Sequence, residues 1–179
     1  MTCAQACPKE AEPRDDASPG PIADGEKIAR AAFDPSAGSA AKGKIENSVV
    51  RKKDLFAGEL SVWRLGDTPP SIDLPDLIEF LMRREEDRTL FAIVWSEAVS
   101  IREIRSPLDG SRALCVLDEC VTDHEGNKHP AHAHIALCCN VKNSPDFDEK
   151  SETFTQIYRD LANLLKNDTA RRHLIQRDA

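Results

Sequence analysis

Two histidines stand two residues apart in HPAHAHIAL, at His132 and His134. In an extended strand such residues point to the same face with backbones about 7 Å apart, so both imidazoles can converge on one ion or one phosphate. Neutral imidazole nitrogen is a common ligand for zinc and other divalent metals. A metal centre then needs a third donor. On the preceding apolar run, alternation sets Cys115, Leu117 and Glu119 on one face and Leu114, Val116, Asp118 and Cys120 on the other. Either Asp118 or Glu119 can join the histidines, according to register, and the intervening loop adds Asp123, His124, Glu125 and His129. A site of this kind, holding zinc or another divalent ion, would activate bound water for hydrolase or nuclease chemistry.

A second candidate chemistry is electrostatic. Arg51, Lys52 and Lys53, preceded by Lys42 and Lys44, form the most basic part of the chain and could contact phosphate or nucleic acid. Aromatic residues able to stack on bases are missing from this run, apart from Phe56 just downstream. A net charge of −7 and a pI near 5.3 disfavour nucleic acid or an anionic membrane as a partner of the whole surface.

Other catalytic patterns are missing: there is no GxSxG, no glycine-rich phosphate loop and no HExxH. Cys115, Cys120 and His124 follow no common structural zinc spacing, and Cys3 and Cys7 make a C-x3-C pair that lacks two further ligands. No apolar stretch near Met1 resembles an export signal, and no segment approaches the length of a membrane span. The expected compartment is the reducing cytosol, where thiols or metal ligation are favoured over disulfides.

These residues must be positioned by secondary structure. ELSVWRL at 59–65 alternates as a strand, with Ser61, Trp63 and Leu65 sharing one face. A helix follows, capped by Asp73, with Pro75 in its first turn and Leu74, Leu77, Ile78 and Leu81 on one stripe. TLFAIVW at 89–95 is apolar throughout, as expected of a strand covered on both faces. The runs at 112–121 and 131–141 predict an antiparallel hairpin, and Ser151 caps a last helix over 152–166 with a stripe from Phe154 to Leu165.

The fold class expected is α+β, or small α/β, with a mixed sheet of about four strands, a C-terminal antiparallel hairpin and two main helices. The strands at 59–65 and 89–95, joined through a helix, suggest a parallel crossover. The Pro-rich stretch 1–25 reads as a disordered acidic leader. Residues 26–58 read as a short helix and basic linker, 59–167 as the single domain and 168–179 as a charged tail. The favoured function is a cytoplasmic, non-catalytic binding or accessory module acting through a protein partner. The alternatives are the HxH metal hydrolase or nuclease and nucleic-acid binding through the basic loop.

Overall fold

The computed structural model describes residues 7–11, 20–85, 87–122, 128–145, 147–167 and 171–175. Its strands are β1 (Lys27–Asp34), β2 (Gly38–Ser39), β3 (Lys44–Ile45), β4 (Leu60–Leu65), β5 (Thr89–Glu97), β6 (Leu114–Asp118), β7 (Val121–Thr122), β8 (Lys128–His129), β9 (His132–Leu137) and β10 (Arg172–Leu174). The helices are α1 (Lys52–Ala57), α2 (Leu74–Arg84), α3 (Ala98–Arg102), α4 (Cys139–Lys142) and α5 (Glu152–Asn167). Six strands form one sheet in the order β10-β5-β1-β4-β9-β6, and every paired neighbour is antiparallel. The protein is α+β, with more strands than the four expected from the sequence.

The sheet is covered on both faces. On one side α5 buries Phe154, Ile157, Leu161 and Leu165 against Ile28, Val62, Val94 and Ile135, forming the larger core. On the other side α2 sets Leu77 and Leu81 over Ala29, Ala31, Trp63 and Ile93. The caps act as their sequences imply. Asp73 accepts a hydrogen bond from the Asp76 amide at 2.8 Å, and Ser151 Oγ accepts one from the Phe154 amide at 3.2 Å.

The largest departure from expectation is β1. KIARAAFD reads as a short helix because three of its residues are alanine, the best helix former. It is instead a strand in the middle of the sheet, paired with β5 along its whole length. Small alanines suit this position, since helices crowd both faces there. The sheet therefore takes in β1, ahead of residue 59, and β10, beyond residue 167. β4 and β5 do run parallel, but β1 lies between them.

Part of the presumed leader is also integrated. Pro8–Glu10 forms a 3-10 turn, and Cys7 and Ile22 are buried. Residues 1–6 and 12–19 lie outside the described residues. Cys7 is bonded to Cys115 of β6, 108 residues on, although the sequence favours free thiols. Glu10 sits between Arg102 and Arg112 and accepts from the Val116 amide at 2.6 Å. Among the described residues no helix is long and apolar enough to cross a membrane.

Candidate functional site

Strand register decides which of the candidate residues meet. β9 lies between β4 and β6, with His134 opposite both Ser61 and Leu117, and His132 opposite Trp63. Both histidines therefore share the α2 face with Ser61, Trp63, Leu117 and Glu119. Their rings stand edge to face, 4.8 Å apart at the centroids. Asp118 faces the other way. Buried, it accepts a hydrogen bond from the Gly20 amide at 2.8 Å and lies 3.4 Å from the Arg64 guanidinium, itself held by Glu26. Asp118 is thus a member of a structural ion-pair network, and of the two candidate third ligands only Glu119 reaches the histidines.

What forms around the histidines is a hydrogen-bonded relay. His132 Nδ1 lies 2.8 Å from the Glu119 carbonyl oxygen, and its Nε2 lies 2.6 Å from Ser61 Oγ. A carbonyl can only accept, so Nδ1 carries the proton and donates it; Nε2 then offers its lone pair to the Ser61 hydroxyl. His134 Nδ1 is bonded to the Glu119 carboxylate at 2.9 Å. With both ring nitrogens of His132 engaged, a metal could enter only by displacing one of these bonds. The loop donors Asp123, His124 and Glu125 fall within 123–127, outside the described residues.

His132 is 3% exposed, where a solvated strand face is the simpler expectation. Trp63 packs against it edge to face at 5.0 Å, and His129 with Phe80 continues the aromatic cluster around Trp63. Burial pushes the imidazole down to about 4, opposed by the Glu119 carbonyl and reinforced by His134 and Arg84. The folded-state value lies below the ordinary 6.5, so protons favour the unfolded chain between these limits. His132 therefore contributes stability that is full above pH 6.5 and declines by on the order of 3 kcal/mol as pH falls to 4. Denaturant titrations across that interval are expected to show a shallower pH dependence in His132→Gln than in the wild type; equal slopes would contradict the assignment.

Ser61 opens into a cleft made by a split in the sheet. β1 pairs with β4 only through Lys27, Ile28 and Ala29. Beyond that point the strands part, and Arg30 fills the gap, its Nε donating to the Val49 carbonyl at 3.1 Å and its Nη1 to the Ser61 carbonyl at 2.5 Å. Ser36 and Ala37, just ahead of β2, and the turn Asn47–Val49 close one wall; the end of α2 closes another. Gly38, at φ 148°, permits the hairpin β2–β3 because the Lys44 carbonyl occupies the place a Cβ would take. The resulting cavity measures about 210 Å³, and among the described residues its charged lining is Arg30, Arg51, Arg84 and Arg88 with Asp54 and Glu85. Arg51 leans toward Asp54, and Arg88 pairs with Glu85 and stacks over Phe33 at 4.0 Å. Arg30, by contrast, donates to main-chain carbonyls, and burial holds it down to about 10.

The basic run is divided by this geometry. Arg51 faces the cleft, Lys52 lies 5.4 Å above the Phe154 ring and Lys53 is exposed, so the three do not form one phosphate track. Sequence reasoning passes over Arg30 and Ser61, which come from β1 and β4; only the pairing of β4 with β9, strands 71 residues apart at Ser61 and His132, brings the hydroxyl to the imidazole.

A separate cluster lies under the β6–β9 edge. The Sγ atoms of Cys7, Cys115 and Cys138 are all buried and lie within 4.8 Å of one another, a set that could hold a thiophilic metal. Cys7 and Cys115 are at disulfide distance, and Cys138 Sγ is 2.9 Å from Cys115 Sγ. Burial pushes the Cys138 thiol up to about 12, which disfavours its thiolate.

Fold and site together define an α+β protein with an arginine-lined cleft in a split antiparallel sheet. No known family, curated protein or solved structure matches the chain.

Proposed function

We propose that the protein binds a small phosphoryl-bearing ligand in the cleft between β1 and β4. The observation that carries this reading is Arg30, a partly buried guanidinium in the cleft wall whose hydrogen bonds run to two carbonyl oxygens while Asp54 offsets part of its charge. A cation drawn partly out of water favours an approaching anion. Arg84 and Arg88 at the same cavity supply further forked donors suited to phosphate oxygens. The excess of arginine is local, because the chain as a whole carries −7. This reading keeps the class of a binding module and takes a small anion as the ligand in place of a protein partner.

Thermal melts with inorganic phosphate or pyrophosphate, at ionic strength matched with chloride, test this directly. The midpoint is expected to rise with the phosphates and not with chloride. Arg84 ends a surface helix, so Arg84→Gln should fold normally yet weaken phosphate binding roughly tenfold or more, from one lost charge-assisted hydrogen bond. Unchanged midpoints with both phosphates would overturn the reading.

A further inference from the structure

We propose that Ser61, activated by His132, is a nucleophile that takes the phosphoryl group from a small phosphomonoester seated in the arginine cleft; this rests on the anion-binding reading above. Three independent features meet at Ser61. Its Oγ lies 2.6 Å from His132 Nε2. The Glu119 carbonyl, 2.8 Å from Nδ1, orients the ring and leaves Nε2 free of a proton, as a base requires. The same residue borders the arginine cavity, and its carbonyl is the anchor of the Arg30 guanidinium. A hydroxyl, an oriented base and a cationic cradle are thus brought together by β1, β4 and β9. A buried histidine that served packing alone would need neither the cavity nor the arginines.

The chemistry balances without any further reactant than water. As Oγ attacks phosphorus, the hydroxyl proton passes to His132 Nε2, the Oγ–P bond forms and the ester P–O bond breaks. The departing alcohol oxygen takes the proton from the imidazolium. Water then attacks the phosphoserine, giving its proton to Nε2 while the P–Oγ bond breaks and Ser61 regains its hydrogen. The products are the alcohol and inorganic phosphate. Charge developing on the phosphoryl oxygens is met by Arg30 and Arg84, which are already in place. The modest cavity, about 210 Å³, restricts the substrate to a small ester or to one whose leaving group projects from the mouth.

The test uses the full chain with p-nitrophenyl phosphate and glycerol phosphate, following phosphate release, with acid-quenched samples digested and examined for a phosphoryl adduct on the Ser61 peptide. The wild type is expected to release phosphate and to show the adduct. Ser61→Ala and His132→Gln should each lower the rate about 100-fold or more, the usual scale for losing a nucleophile or its base, while Ser61→Ala keeps its phosphate-dependent rise in melting midpoint. Undiminished turnover in Ser61→Ala overturns the proposal. So does a wild type that binds phosphate but neither turns over these esters nor acquires the adduct. Loss of phosphate binding in the wild type would overturn the cleft reading instead. The adduct measurement needs no variant and stands even if His132→Gln fails to fold.

Discussion

Replacing Arg64 with Ala is expected to lower the unfolding free energy by about 3–5 kcal/mol, the cost of stranding a buried charge. Arg64 is 4% exposed and holds Glu26 through two hydrogen bonds, at 2.7 and 3.0 Å. It also faces Asp118, itself 5% exposed, at 3.4 Å and donates to the Gly20 carbonyl at 3.3 Å. Removing the guanidinium takes from the buried Asp118 carboxylate, and from Glu26, the Arg64 charge each faces. The loss should be smaller in the background Asp118→Asn, since the buried carboxylate is then neutral and only the partly exposed Glu26 loses its cation. Urea unfolding of the two single variants and the double variant completes the cycle. Additive losses would show that Arg64 and Asp118 are not coupled and that this ion pair is idle.

The second large effect concerns the bond between Cys7 and Cys115. It closes a loop spanning 108 residues, and the chain-entropy argument assigns such a loop about 4–5 kcal/mol. Cys138 lies close enough to Cys115 to become its new partner when Cys7 is removed. The informative variant is therefore Cys7→Ser combined with Cys138→Ser. Compared with the oxidised wild type in urea, it should lose most of the about 4–5 kcal/mol that the loop length implies. A loss under about 1 kcal/mol would mean that the reduced wild type already holds the first turn against the sheet and that the unfolded chain gains little freedom.

Much of the framework is legible in the sequence where local and tertiary preferences agree. Asp73 and Ser151 stand before amphipathic stripes, and both cap the helices expected of them. The apolar run at Thr89 becomes a strand covered on both faces, and the β6–β9 pairing is antiparallel as its two apolar runs suggest. β1 is illegible for a physical reason. Its alanines favour helix locally, and only the narrow space between two helix layers makes small strand residues the better solution. The site is half legible in the same sense. His132 and His134 share a face by simple alternation, and Glu119 is one of two acids placed near them. Their partners depend on which strands become neighbours. Ser61 reaches His132 only because β4 inserts beside β9, and Arg30 reaches Ser61 only because β1 and β4 separate after three paired residues. No local pattern encodes either event.

The turn at Pro8–Glu10 has a consequence for how molecules of this protein meet. β6 is the last strand on its side, and a terminal strand with unsatisfied amides is a template for pairing with another chain. Glu10 occupies the Val116 amide with its carboxylate, and the Cys7 bond fastens the turn over the same strand. At the opposite margin β10 is only three residues long. The sheet thus has one guarded border and one closed by a very short strand, features that disfavour copies of the chain joining strand to strand into a continuous ribbon.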